Sequence, residues 1–322
     1  MKRTICIAAG LALAAGAAQA ENWDMPMAYA DSNFHTQTGR AFAECVGTAT
    51  GGEIEITVHA SGSLFKGNEI KRAVQTGQAP IGERLLSAHE NETPIFGIDS
   101  VPFLATNFED SQKLWQAAKP AVDQTLAEQN LVLLYSVPWP PQGLYTKKEI
   151  SSIDDLKGLK FRAYNNATAR FAELTGMQPV QIEAAEISQA FATGVAESMI
   201  SSGATGYDRK VWEHLTHFYQ VDAWMPRNAV FVNKDTWDEV SEENRNAIQG
   251  CADLAAYAGY WRAQHYTDFT VKGLRDNGMQ VVDADETLQS ELDEIGEKMV
   301  DAWAKAAGEQ GQKIIDDYKA MQ

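Results

Sequence analysis

Arg162 closes the run Leu156-Lys157-Gly158-Leu159-Lys160-Phe161-Arg162. Its guanidinium offers planar, paired donors matched to a carboxylate. The residues around it form a helical turn, a stop and a strand. Ser152 stands three residues ahead of Asp155, a capping signal. Gly158 can take the positive φ that ends such a turn. From there Leu159, Phe161 and Ala163 share one face, and Lys160, Arg162 and Tyr164 the other. Arg162 therefore falls near the carboxyl end of a strand, where open α/β sheets hold ligands. Most arginines are solvated or structurally paired, so the run alone leaves both readings open.

Three other stretches carry chemistry. Pro80 to Ser87 is a strand by its ends but has Glu83 and Arg84 in the middle. Two buried charges there must be paired or face a cleft, unless the strand is an edge in solvent. Pro138-Trp139-Pro140-Pro141-Gln142-Gly143 is a stiff loop that presents an indole at the end of a buried strand. Trp139 is either a core anchor or a platform for a ligand. Ser202-Gly203-Ala204-Thr205-Gly206 is a small-residue loop before a helix from Tyr207 to about Leu215. Free N–H groups at a helix start suit an anion, although most such turns only connect.

The elements that position these residues alternate between strand and helix. Trp23–Tyr29 reads as a strand, Asn33 as a cap, and Phe34–Thr48 as a helix stopped by Gly51-Gly52. Ile54, Ile56 and Val58 alternate with polar residues in a second strand. Gly67–Gln75 is a short helix. Asn107 caps a helix to about Lys119, and Pro120 begins another to Glu128. Leu131–Val137 is an unbroken apolar strand. Helices at Ala167–Leu174 and Glu186–Thr193 end at Gly176 and Gly194. Glu197–Ser201 is a strand, and so is Trp224–Phe231, interrupted by Pro226. Glu242–Asp276 is one long helix. Val281-Val282 and the helices Leu288–Ala307 and Lys313–Met321 finish the chain. The pattern predicts α/β layers with largely parallel sheets.

Composition narrows the function classes. Lys2 and Arg3, an apolar run from Ile5 to Ala15 and Ala18-Gln19-Ala20 read as an export leader over residues 1–20. The run is too short to span a bilayer. The 322-residue chain has a formal charge of −17, and removal of Lys2 and Arg3 makes it −19. Such a surface repels nucleic acid, so no nucleic-acid partner is expected. An anionic ligand needs locally placed cations. Cys45 and Cys251 remain once Cys6 leaves with the leader, and whether they bridge is open. The histidines show no metal-ligand spacing, and no metal or cofactor is expected. There is no Gly-x-Ser-x-Gly. Ser61-Gly62-Ser63 has no evident base, and Glu183 and Glu186 read as a solvated face, so a secreted hydrolase is a remote alternative.

Several landmarks in order resemble the substrate-binding subunit of TRAP (tripartite ATP-independent periplasmic) transporters. They are Thr50-Gly51-Gly52, Glu53-Ile54-Glu55-Ile56, Ser61-Gly62-Ser63-Leu64, Ala73-Val74-Gln75-Thr76-Gly77, Val101-Pro102-Phe103-Leu104, the Arg162 run and Ala192-Thr193-Gly194-Val195. The resemblance implies two α/β lobes joined by hinge strands, with a long helix across both. Residues 21–142 and 228–268 would form one lobe, and 143–227 and 269–322 the other. It also implies a periplasmic receptor, not an enzyme, that passes a small organic acid to TRAP membrane subunits. Arg162 would pair with the carboxylate. Ser201 falls where the family often has Asn, and a serine offers fewer hydrogen bonds. Trp139, Tyr207, Met199, Phe34 and Trp224 would wall an aromatic-lined pocket. That favours a benzoate-, hydroxybenzoate- or mandelate-like monocarboxylate. A C4 dicarboxylate or sugar acid, with Arg84 on its second polar end, is the alternative.

Overall fold

A computed structural model describes residues 20–322. The expected leader, Cys6 included, lies outside the described residues apart from Ala20. The chain opens with β1 (Glu21–Pro26), α1 (Phe34–Ala49) and β2 (Ile54–His59). Asn33 caps α1, its side-chain oxygen accepting from the His35 N–H at 2.9 Å. Next come α2 (Ile70–Gln75), β3 (Ile81–Leu85), α3 (Phe108–Glu128) and β4 (Leu131–Pro138).

Pro120 does not divide α3, which is one helix of 21 residues. An internal proline costs about 3 kcal/mol. Leu114, Val122 and Leu126 lie buried on the same helix, at about 1.5–3 kcal/mol each. Their shared burial outweighs the lost backbone bond.

The middle of the chain holds β5 (Gln142–Thr146), β6 (Lys160–Ala163), α4 (Asn166–Leu174) and β7 (Gln178–Gln181). It continues with α5 (Ile187–Ala192), β8 (Ser198–Ser202), α6 (Gly203–Asp208) and β9 (His217–Gln220). The last third is β10 (Arg227–Asn233), α7 (Lys234–Glu239), α8 (Glu242–Asp276), β11 (Gln280–Asp283) and α9 (Glu286–Lys319). β10 starts only after Pro226, and Trp224 precedes it outside any strand. Gly308, at φ +60°, splits α9 into the two terminal helices that the sequence predicts.

β1 and β2 pair in parallel, β3-β10-β4 form a three-stranded sheet, and β11-β9-β5-β8-β6-β7 a six-stranded one. The sheets are mixed rather than largely parallel. β10 runs antiparallel to β3 and β4, and β5 antiparallel to β8 and β9. The cause lies in two connections without a helix. β4 passes through Trp139-Pro140-Pro141 into β5, and β9 passes through residues 221–226 into β10. At each the chain leaves one sheet and enters the other, which makes a two-lobed α/β molecule.

The small-residue stretch after β8 is not a loop. Ser202 caps α6, accepting from the Thr205 N–H at 3.2 Å, so its hydroxyl fills the helix start read as an anion site. The residues beyond Lys210 (φ +50°) form only a 3-10 turn, Val211–Glu213. Gly206 is required by packing, since a Cβ there would sit 2.2 Å from the Tyr145 hydroxyl. α8 packs on α1 and β4 of one lobe and on α6 of the other. β11 extends the six-stranded sheet, whereas α9 brings Trp303, Ile314 and Tyr318 into the core under α3. Cys45 on α1 and Cys251 on α8 form a disulfide.

Candidate functional site

A cavity with about 430 Å³ free of protein atoms, partly open to solvent, lies between the lobes. β6 delivers Arg162 to it. Gly158, at φ +79°, ends the turn Ile153–Leu156 just before the strand. Ser152 stands at the start of that turn but makes no capping bond; instead the Asp155 carboxylate accepts the Ser151 N–H at 2.9 Å. Arg162 is 4 % exposed. Its Nε donates to the Ile182 carbonyl at 3.0 Å, and its guanidinium carbon lies 4.9 Å from the Tyr164 ring centre. Among the described residues, no carboxylate lies within ion-pair distance of it. Lost hydration pushes its pKa down to about 10, partly offset by Tyr164 and Glu183. It stays cationic at neutral pH, and among the described residues no ion-paired anion offsets its desolvation cost.

Arg84 enters from β3 of the opposite lobe. Its Nη2 donates to Glu183 Oε1 at 3.1 Å and its Nη1 to Glu183 Oε2 at 3.3 Å. Glu183, expected on a solvated face, follows β7 and lines the cavity. Gly67 makes room for the pair, since a Cβ there would lie 2.7 Å from both Arg84 Nη1 and Glu183 Oε2. Neighbouring Glu83 is also buried and paired. It accepts from Asn228 Nδ2 at 2.7 Å and faces His35 Nδ1 at 3.3 Å.

Trp139 lines the cavity with its orientation locked. Its Nε1 donates to Asn228 Oδ1 at 2.8 Å, and Tyr29 packs edge-on at 4.8 Å between ring centres. Ser201, near the end of β8, lines it too. The remaining candidates do not. Met199 sits two residues deeper in β8, fully buried with Tyr145 and Phe218. Tyr207 is covered by α8, its ring against Phe269 and Gly273. Phe34 stands behind Trp139, its ring centre 5.2 Å away. Trp224 is fully buried and acts through a neighbour, donating from Nε1 to the Tyr164 hydroxyl at 2.9 Å.

The sequence reading missed Tyr29, Gln142, Tyr164, Glu183 and Thr205 as cavity residues. For Tyr164 there was a signal, because it shares a strand face with Arg162. Its hydroxyl donates to Gln142 Oε1 at 3.3 Å, while Gln142 Nε2 donates to the Pro140 carbonyl at 2.8 Å. This chain of bonds fixes the floor of the cavity in place. Burial pushes the Tyr29 hydroxyl up to about 12 and Tyr164 higher, so both are neutral donors at neutral pH. No group of side chains suited to a metal ion occurs among the described residues.

Residues 27–307 match the family described as bacterial extracellular solute-binding protein, family 7. A solved TRAP solute binding protein from a marine metagenome, described as specific for pyroglutamate, is 55% identical with a TM-score of 0.93. The match covers 94% of this chain and 100% of that one. The Bordetella pertussis extracytoplasmic solute receptor DctP6, described as binding pyroglutamic acid, is 44% identical with a TM-score of 0.92, covering 93% and 100%. The ectoine/5-hydroxyectoine-binding periplasmic protein UehA of Ruegeria pomeroyi is 27% identical over 260 residues, 78% of this chain and 75% of that protein. These are receptors rather than enzymes. With its two lobes and its buried arginine between them, the chain belongs to solute-binding protein family 7 and is an organic-acid receptor subunit of a TRAP transporter.

Proposed function

We propose that this receptor captures a small cyclic monocarboxylate, with pyroglutamate the first candidate, and delivers it to TRAP membrane subunits in the periplasm. The observation that carries the reading is Arg162, buried and, among the described residues, without a carboxylate in ion-pair reach. Charge balance supports one ligand carboxylate. Arg84 and Glu183 neutralise each other, which leaves the single positive charge of Arg162. Arg84 is thus committed and poorly placed to hold a second carboxylate or a sugar acid. The walls support a small flat ligand, since the rings of Tyr29, Trp139 and Tyr164 line the same cavity as Arg162. Relatives at 55% and 44% identity are described as binding pyroglutamate.

A micromolar ligand needs about −8 kcal/mol. Charge-assisted bonds to Arg162 supply about 1.5–3 kcal/mol each. Burial of a flat ring between Tyr29, Trp139 and Tyr164 supplies the rest. These aromatic walls also favour a second reading, a benzoate- or mandelate-like monocarboxylate. We assign the β1-β2 and β3-β10-β4 sheets with α1, α2, α3 and the end of α9 to one lobe, and the six-stranded sheet with α4, α5 and α6 to the other, closing on the ligand about the two crossings.

The test is a thermal-shift and calorimetric panel on the mature protein, because a ligand of the folded form raises the melting temperature. Stoichiometric binding of L-pyroglutamate without turnover is expected. Binding of benzoate or mandelate in its place would select the second reading. Response only to succinate or glucuronate would overturn both.

A further inference from the structure

The cavity holds a second oriented charge besides Arg162. Among its described lining residues Glu183 is the only carboxylate. A carboxylate has about four acceptor sites. Arg84 takes one on each oxygen, at 3.1 and 3.3 Å, and thereby fixes the group in its place. Of the neighbouring polar groups, the Tyr29 and Ser201 hydroxyls remain as neutral partners and three others are occupied. Trp139 Nε1 is turned to Asn228, the Tyr164 hydroxyl is bonded to Trp224 and Gln142, and Gln142 Nε2 is bonded to Pro140. The cavity therefore offers a ligand one free cationic donor and one immobilised anionic acceptor. A molecule that satisfies both carries a carboxylate and a hydrogen-bond donor close to it. A second carboxylate would meet Glu183 and be repelled.

We propose that Glu183, held by Arg84, is the specificity-determining residue of this receptor. Its carboxylate accepts a hydrogen bond from a ring N–H beside the ligand carboxylate. This assignment rests on the small cyclic acid reading above. It selects lactam acids over rings of equal shape without the donor. A site built to bond an N–H is left with an unpaired buried acceptor when that N–H is missing.

The experiment compares L-pyroglutamate with its ring-oxygen counterpart, 5-oxotetrahydrofuran-2-carboxylate, by calorimetry. The two differ in one atom, so the wild-type measurement needs no variant. The lactam is expected to bind about 10- to 100-fold tighter. In Glu183→Gln the gap should narrow to within a few-fold, mainly through weaker lactam binding. The double variant Arg84→Met/Glu183→Leu removes both charges together and leaves none buried alone. It should erase the gap as well. Equal affinity of the two rings for wild type leaves the cyclic-acid reading intact and overturns the assignment to Glu183. A gap that persists in both variants overturns it too. Binding of neither ring overturns the cyclic-acid reading, and this inference with it.

Discussion

Arg162 is held by one backbone carbonyl and one aromatic ring, and we propose that its charge pairs with a ligand carboxylate. Arg162→Met should therefore abolish the ligand-induced thermal shift. The loss should be about 2–5 kcal/mol of binding, roughly 30-fold or more. The melting temperature of the unliganded protein should not fall, because a buried cation without a protein anion is relieved rather than orphaned. A large drop in that temperature would show that Arg162 is structural. A second prediction concerns Asp99. It accepts the Arg227 N–H at 2.7 Å and a bond from the Ser100 hydroxyl at 3.3 Å. Loss of hydration pushes its pKa up to about 7, against the pull of Arg227. The folded state then holds a proton that the unfolded state has released above about pH 4. Its contribution to stability is complete below about pH 4 and is lost as pH rises to about 7. Asp99→Asn should remove that decline. Urea melts from pH 4.5 to 8 should show the variant gaining on wild type with rising pH, by up to about 1.4 kcal/mol per unit.

At the level of elements, the caps, glycine stops and amphipathic faces were legible. Asn33 and Asn107 cap α1 and α3, and the unbroken run from Glu242 forms the 35-residue α8. Each follows from interactions within a few residues. β7 and β9 were not legible, because four residues with exposed or mixed faces carry little periodicity. The disulfide belongs to this scale. It ties α1 to α8 across 206 residues. Cys45→Ala/Cys251→Ala should cost about 2–4 kcal/mol, read from urea melts. Ligand affinity should change little, since Cys45 lies eleven residues along α1 from Phe34, about 16 Å at 1.5 Å per residue. A large loss of affinity would instead make the bridge part of the site.

For the whole molecule, a chain of net charge −17, or −19 without Lys2 and Arg3, must admit an anion. The global field opposes approach, while the local charge at Arg162 favours capture. Salt screens the long-range part far more than the buried contact. Association should therefore quicken by a factor of a few between about 10 and 150 mM salt, with dissociation nearly constant. Stopped-flow fluorescence would follow this, with Trp139 in the cavity wall. A rate that falls with salt would mean that local cations dominate the approach. The proposed hinge closure predicts a second large-scale readout, a smaller radius of gyration in scattering when ligand is present.

The sequence by itself determined the α/β alternation, the long helix and the strand that carries Arg162 to its end. Those features rest on side-chain periodicity and on caps, which act between near neighbours. It also left Glu83 and Arg84 either paired, facing a cleft or at a solvent edge. Only the tertiary structure decided for pairing, because Glu183 is 99 residues from Arg84 and His35 and Asn228 approach Glu83 from other elements. Tertiary structure likewise decided depth. Alternation assigns a face, and Met199 and Ser201 share one, yet only Ser201 reaches the cavity. Trp224 and Phe34 were expected in the cavity wall, where Tyr164 and Trp139 stand instead, each in contact with one of them. Local pattern fixes direction; distance from the core is set by the elements stacked behind each residue.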